Sequence, residues 1–334
     1  MNITNRIVTI ESHCAGEPLR IITSGIPYLK GKTMLDKMLF MKNNYDEIRK
    51  ITMLEPRGHR DMLGAVLTEP VKNTSNIGVF YIDPRGYAPM CGAGTLALIK
   101  AVSETGIVNV NEGINIISID TPAGTIKSKA IVKDKRVIKT SFINVASFLY
   151  AKDLHINTSE YKNLRFDIAY GGNFFAMVNI DDLNIKYHKK NINVLSTLGM
   201  EILNRANKKF KVKHPLIDGI TFLNDVMFYK NPDKKNDTYK SLVIFGEKTV
   251  DRSPCGTGTC ARMAMLYEEG NLDIGQIFEH ESIIGTKFTG KLLKKTKVES
   301  ISAVIPELEG DSSITGFSDF VLEENDTLKC GFTV

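Results

Sequence analysis

Hydrophobic and polar positions along this chain mark out short strands between polar turns, with a few helices among them. Arg6 to Ile10 alternates as a half-buried strand does, and Leu19 to Thr23 reads as a second strand. Between them His13-Cys14-Ala15-Gly16-Glu17-Pro18 reads as a loop. Residues 31–50, rich in Lys, Met, Leu and Glu, predict one helix that closes before Ile51-Thr52-Met53-Leu54. Glu55-Pro56-Arg57-Gly58-His59 is a polar turn, Gly64 to Leu67 is strand-like, and the β-branched and aromatic Ile77 to Ile82 is a further strand. The apolar run Leu96 to Val102, stopped by Gly106, predicts a buried helix. The second half repeats this succession, with a strand at Ser241 to Phe245, a loop at Gly246 to Pro254 and a helix at Ala261 to Tyr267 ended by Gly270. Tyr229 to Lys240, with its run Asn231-Pro232-Asp233-Lys234-Lys235-Asn236-Asp237, reads as a polar loop and an insertion.

Both strand–loop–helix junctions carry one phrase, Cys-Gly-x-Gly-Thr-x-Ala, starting at Cys91 and again at Cys255. Downstream, Thr121-Pro122-Ala123-Gly124 and Gly285-Thr286 each precede a strand at similar distances from their cysteines. Such a match over a long stretch is duplication of a domain-sized unit, not a short repeat. A helix N-terminus offers unpaired N–H groups and positive partial charge, and glycines let a ligand approach them closely. The place suits an anion such as a carboxylate, and the dipole is expected to lower the pKa of a thiol there. Two cysteines on opposite faces of one carbon can remove a proton from one side and return one to the other.

Composition narrows the setting. A chain of 334 residues exceeds the usual single core, so two domains are expected. The net charge of +5 sits partly in short, scattered runs such as His188-Lys189-Lys190, Lys208-Lys209 and Lys294-Lys295, which argue for a solvated surface and against nucleic acid. The N-terminal residues lack a secretory core, and no stretch approaches the roughly 18 apolar residues of a membrane span. Five cysteines without paired spacing fit a reducing cytoplasm. Cys14, Cys260 and Cys330 read as small core residues.

Other chemistry fits less well. Neither copy of the phrase holds the Gly-Lys-Ser/Thr of a phosphate loop or a complete Gly-x-Gly-x-x-Gly. A cysteine hydrolase with His59 or His280 as base would leave the second copy idle, and Cys255, Cys260 and a histidine lack zinc spacing.

Across its length the chain resembles the proline racemase family, which includes hydroxyproline epimerases and trans-3-hydroxy-L-proline dehydratases. The resemblance rests on Asp251-Arg252-Ser253-Pro254-Cys255-Gly256-Thr257-Gly258-Thr259. It is supported by His13 to Pro18, Glu55 to Met62, Asp167 to Ala176 with Gly171-Gly172, and His280 to Thr286. It implies an α/β (α+β) fold like that of diaminopimelate epimerase: two pseudo-symmetric domains, each a curved mixed sheet wrapped around a central helix, with the active site in the cleft between them. Residues 1–130 would form the first domain with Cys91 and residues 131–314 the second with Cys255, the segment 315–334 returning to the first.

By the same resemblance Cys91 and Cys255 are the catalytic acid/base pair. The backbone of Gly92, Ala93, Gly256 and Thr257 would bind the substrate carboxylate, and Asp251 the amine. His13, Arg57, His59 and His280 would line or order the cleft. No metal or organic cofactor is expected. The partner would be a small amino acid, with no nucleic acid or membrane involved and a homodimer left open. Ala93 departs from the family, which commonly has His there, so an imidazole facing the substrate is lost. Cys260 stands where Ser is common. The dehydratase branch has Thr in place of the second cysteine, and retention of Cys255 favours epimerisation. The expected function is racemisation or epimerisation of proline or a hydroxyproline. The alternatives are trans-3-hydroxy-L-proline dehydration, a racemase of another amino acid, and a binding protein without turnover.

Overall fold

The computed structural model describes residues 3–234 and 237–333. The chain divides into two compact units, Met1–Phe142 with Gly310–Val334, and Ile143–Glu309. These divisions stand beside sequence expectations at 130 and 315.

The first unit opens with β1 (Ile3–Cys14) and β2 (Glu17–Ser24), followed by α1 (Met34–Asn44) and α2 (Asp46–Met53). Then come β3 (Gly64–Thr68), β4 (Ile77–Ile82), the short β5 (Tyr87–Ala88), α3 (Gly92–Glu104), β6 (Gly113–Thr121), β7 (Gly124–Lys133) and β8 (Arg136–Ile143). The second unit holds β9 (Phe148–Ile156), β10 (Leu164–Tyr170), β11 (Phe174–Asn179), α4 (Ile192–Lys209), β12 (Asp225–Lys230), β13 (Tyr239–Phe245) and β14 (Thr249–Val250). It continues through α5 (Gly256–Glu268), β15 (Ile277–Ser282), β16 (Lys287–Val298) and β17 (Ile301–Gly310). The last strand, β18 (Ser312–Glu323), lies in the first unit and pairs antiparallel with β1.

The duplication read from one phrase extends to the whole topology. In the first unit β18–β1 and β1–β2 are antiparallel, β2–β3 parallel, β3–β4 and β4–β5 antiparallel, β4–β6 parallel and β6–β7 antiparallel. In the second unit the pairs β9–β10, β10–β11, β11–β12, β12–β13, β13–β14, β13–β15 and β15–β16 follow the same succession. The edge that β9 supplies in the second unit comes in the first from β18, which explains why the chain's end belongs there.

Each sheet packs on one helix that is buried almost all round. From Gly92 to Val102 only Lys100 of α3 escapes full burial, and it runs its ammonium to the Val137 carbonyl. In α5 every residue from Gly256 to Leu266 is buried, including Arg262, whose guanidinium lies 3.9 Å from the Tyr229 ring centre. A helix apolar on all faces has no solvent side, so it sits at the centre of its unit. Strands β1, β2 and β18 pack on α3, and β9, β10 and β16 on α5.

Several local expectations need correction. The loop at His13–Pro18 is a two-residue turn, because Ala15 and Gly16 take positive φ and let β1 and β2 pair up to Cys14 and Glu17. The single helix over 31–50 is two. It starts after Thr33, which caps it reciprocally with Asp36, and breaks at Tyr45. There Asn44 turns its side-chain amide onto the Phe40 carbonyl, and Asp46 opens a new helix by pairing with Arg49. Ile51 to Met53, expected beyond the helix, form its last residues. Of the loop expected over Tyr229 to Lys240, Tyr229-Lys230 ends β12 and Tyr239-Lys240 opens β13; the remaining 231–238 is as long as its counterpart 69–76 between β3 and β4, so it is no insertion relative to the first half. Lys235 and Asn236 of that loop, like Met1 and Asn2 of the N-terminal stretch, lie outside the described residues. Cys14 and Cys260 are buried as expected, whereas Cys330 is exposed.

The β10–β11 turn presses on the start of α5. A methyl group on Gly171 would meet the Thr257 carbonyl and the Ala261 amide, both backbone atoms of a buried helix that cannot swing aside. Gly171→Ala should therefore lower stability by about 1–3 kcal/mol, read as a lower denaturant midpoint; an unchanged midpoint would contradict this packing.

Candidate active site

In the first unit Cys91 is the N-cap of α3. Its Sγ accepts the Gly94 N–H at 3.4 Å from extended backbone, φ −143°. Sulfur thus takes the place that a Ser or Asp oxygen fills in an ordinary cap. The amides of Gly92 and Ala93 lie in the same first turn, where no acceptor exists within the helix. Gly94 has to be glycine, since a methyl group there would lie 2.6 Å from the Tyr81 ring. Thr95 donates to the Cys91 carbonyl at 2.7 Å, and its Oγ1 lies 2.7 Å from the Tyr81 hydroxyl. With Thr95 donating to the carbonyl, Tyr81 is left to donate to Thr95. Burial first, and the neighbouring Cys91 second, push the phenol up, so Tyr81 stays protonated.

The second unit builds the same cap differently. Cys255 Sγ accepts the Gly258 N–H at 3.4 Å and lies 3.8 Å from the Thr257 hydroxyl, but its φ is +66°. A side chain in that left-handed region costs roughly 1–2 kcal/mol, so neighbouring groups have to hold it. The Cys255 N–H donates to Ser253 Oγ at 3.1 Å. The Pro254 carbonyl accepts from Ser241 at 3.3 Å and from Thr259 at 3.2 Å. Thr259 also contacts His280 Nδ1 at 2.8 Å. Asp251, buried, accepts through Oδ1 from the Ser253 N–H at 2.8 Å and its hydroxyl at 2.7 Å.

The electrostatics correct one expectation. Reasoning from the helix dipole puts both thiols below the free value, yet Cys255 is raised well above 9.0. Burial is the largest cause, followed by the carboxylates of Asp251 and Asp225. The Gly258 N–H and Thr257 hydroxyl pull the other way without prevailing. Cys255 therefore rests as a thiol at neutral pH. Cys260, one turn along the helix, is pushed up to about 12 by burial.

The remaining residues make local contacts within their own units. His280 is fully buried and pushed down to about 3, by burial and then by Arg262, so it is a neutral brace for Thr259. His13 and His59 accept the backbone N–H of Gly16 and Asp61, at 3.3 and 3.2 Å. Arg57 ties down the C-terminal segment through the Lys329 carbonyl and Asp326. Sequence reasoning assigned no role to Tyr81, Thr95, Ser253 or Thr259. The two threonines stand inside the repeated phrase itself, which was the available signal for them.

Comparison with known proteins places this architecture. A solved hydroxyproline epimerase from Agrobacterium vitis, with bound trans-4-hydroxy-L-proline, superposes with a TM-score of 0.92 at 28% identity, covering 100% of this chain and 97% of that one. The fold is thus that of the two-unit α/β epimerases. The family model described as proline racemase matches residues 9–333. A proline racemase of Acetoanaerobium sticklandii is 43% identical over the full length of both chains. A trans-3-hydroxy-L-proline dehydratase of Bacillus cereus is 39% identical over 99% of each. The chain belongs to the proline racemase family, and it is an enzyme of that family.

The raised thiol has a measurable consequence. The alkylation rate of Cys255, followed by mass mapping against pH, should have its midpoint above 9.0. Asp251→Asn removes a negative charge that disfavours the thiolate, so the midpoint should move down; an upward shift would contradict this electrostatic account.

Proposed function

We propose that this protein is a cofactor-independent racemase or epimerase that inverts Cα of a free amino acid, with proline or a hydroxyproline as substrate. One observation carries the reading: a thiol caps the central buried helix at the same topological position in both units. A single cysteine could serve hydrolysis or transfer, but inversion by proton exchange needs one acid/base on each face of the carbon. The names of the relatives, proline racemase, hydroxyproline epimerase and trans-3-hydroxy-L-proline dehydratase, support the choice of substrate class.

On this reading the first-turn amides of Gly92 and Ala93, and of Gly256 and Thr257, receive the substrate carboxylate. They are fixed dipoles that also hold the charge developing on that carboxylate as Cα loses its proton. Asp251 pairs with the substrate ammonium, a charge-assisted contact that fixes the ring. Cys255 begins as the thiol and Cys91 as the thiolate. Cys91 takes the Cα proton, Cys255 delivers its own to the opposite face, and the two exchange states. For the other enantiomer the roles reverse. Asp251 is one of the charges that keep Cys255 protonated, so an ammonium neutralising it eases the return of Cys255 to thiolate.

Incubation of proline, the 4-hydroxyproline epimers and trans-3-hydroxy-L-proline in deuterated water, followed by NMR and polarimetry, tests this reading. Epimerisation labels Cα and inverts it. Dehydration of trans-3-hydroxy-L-proline would give a cyclic imine instead, and that product would replace the reading. Cys91→Ser and Cys255→Ser should each lower inversion by about 10²–10⁴-fold; near-normal inversion in one of them would end the two-thiol mechanism.

Ala93 governs preference. It is buried in the first turn of α3 and offers a methyl group where the family commonly has an imidazole. Ala93→His should raise the kcat/KM for proline or 4-hydroxyproline relative to other amino acids. If the ranking of substrates does not move, position 93 does not set preference.

A further inference from the structure

We propose that Ser253 is a positioning residue that locks Asp251 to the backbone of Cys255, so that one hydroxyl sets the amine-binding carboxylate and the thiol together. The inference rests on the roles just proposed for those two residues. Ser253 is 1% exposed. Its Oγ donates to Asp251 Oδ1 at 2.7 Å and accepts the Cys255 N–H at 3.1 Å, while its own N–H donates to the same carboxylate oxygen at 2.8 Å. The direction of the chain is consistent at each step, because a hydroxyl has one proton to give and lone pairs to receive another.

The lock acts where the backbone most needs one. Cys255 sits at φ +66°, a region that favours glycine, and rotation about φ would turn Sγ and the helix start together away from the loop that carries Asp251. Both polar ends of the Pro254–Cys255 peptide are held: the carbonyl by Ser241 and Thr259, the amide by Ser253. Ser241 and Thr259 reach only the carbonyl end in the hydrogen bonds described, whereas Ser253 joins that peptide to Asp251. The first unit lacks this serine. Two residues before Cys91 stands Pro89, and Cys91 keeps ordinary extended backbone that needs no such support.

This asymmetry makes the role separable from a general structural one. Loss of the Ser253 hydroxyl should slow proton transfer at Cys255 while leaving Cys91 untouched. Ser253→Ala should therefore lower inversion by roughly ten- to a hundredfold. The Cα-deuterium isotope effect should rise for the enantiomer deprotonated by Cys255. The opposite enantiomer should show instead a larger solvent isotope effect, since its slow step becomes proton delivery from Cys255.

The measurement uses Cα-deuterated L- and D-proline, or the 4-hydroxyproline epimers if those turn over, on the full chain. Ser253→Thr keeps the hydroxyl and should recover most of the rate. If Ser253→Ala does not fold, Ser253→Cys, similar in size with a weaker hydrogen-bonding group, serves the same comparison. Full activity in the variant overturns the inference, and so does a loss with unchanged isotope effects in both directions. Cys255→Ser is measured alongside: if it keeps inversion, the two-thiol reading itself fails, whereas an inactive Cys255→Ser beside a fully active Ser253→Ala removes Ser253 alone.

Discussion

The structure depends on a thiol capping a buried helix. A helix that starts inside a protein brings several amides without acceptors, and each left unpaired in an apolar setting costs about 1–3 kcal/mol. In both units the cysteine sulfur takes the third of these amides, Gly94 or Gly258. The choice of cap dictates what surrounds it. The capped residue is glycine in both copies: at Gly94 the Tyr81 ring lies within 2.6 Å of where a methyl would stand, and at Gly258 the flexible end of Met227 lies at 2.5 Å with Cys255 Sγ at 3.1 Å. The next residue is threonine in both copies because its hydroxyl ties the turn back to the preceding chain. The first two amides lie beside the sulfur with no acceptor inside the helix.

The duplicated topology gives two equivalent places, yet the two are not chemically equal. The first unit reaches its cap through ordinary extended backbone and braces it with a phenol. The second reaches it through a left-handed cysteine, a neutral buried histidine and a serine bound to a carboxylate. Differences of this kind are expected if, as proposed, one half specialises in holding the amine: Asp251 then has to be placed, and the loop that places it bends the chain into Cys255. The common sheet order fixes where the thiols stand within each unit. The loops before them decide what each thiol is like.

Much of this was legible in the sequence, for definite reasons. Helices α3 and α5 could be read because each carries a largely apolar run and opens on a glycine-rich phrase, and the repeat itself marked Cys91 and Cys255. The return of the last strand to the first unit was implied by family resemblance only, since nothing local in Ser312–Glu323 names β1 as its partner. The break at Tyr45 escaped because helix propensity persists across it, and the competing event is one Asn44 hydrogen bond. Ser253 escaped because its role depends on the positive φ of Cys255, and cysteine gives no hint of that conformation as a glycine would. His280 drew attention as a titratable group, but it is fully buried, and that burial follows from tertiary packing.

The reversed pKa of Cys255 follows from the same competition between local and tertiary effects. A helix terminus contributes on the order of 0.3–1 kcal/mol, and up to about 2 in buried geometries, whereas burial can shift a fully enclosed group by several pKa units, each worth about 1.4 kcal/mol. Two carboxylates add to burial at this site, so the dipole loses. For the proposed chemistry the direction is useful. The Cα–H bond of an amino acid is a very weak acid, and the strength of a base rises with the pKa of its conjugate acid. A thiolate made easy by the dipole would be a poor base for that proton. One that burial makes scarce is a stronger base once formed, and its formation is tied to a ligand whose ammonium offsets Asp251. The cap therefore holds the sulfur in place and, on the proposed reading, leaves the first-turn amides to the carboxylate, while the surrounding burial, rather than the helix, sets the reactivity of Cys255.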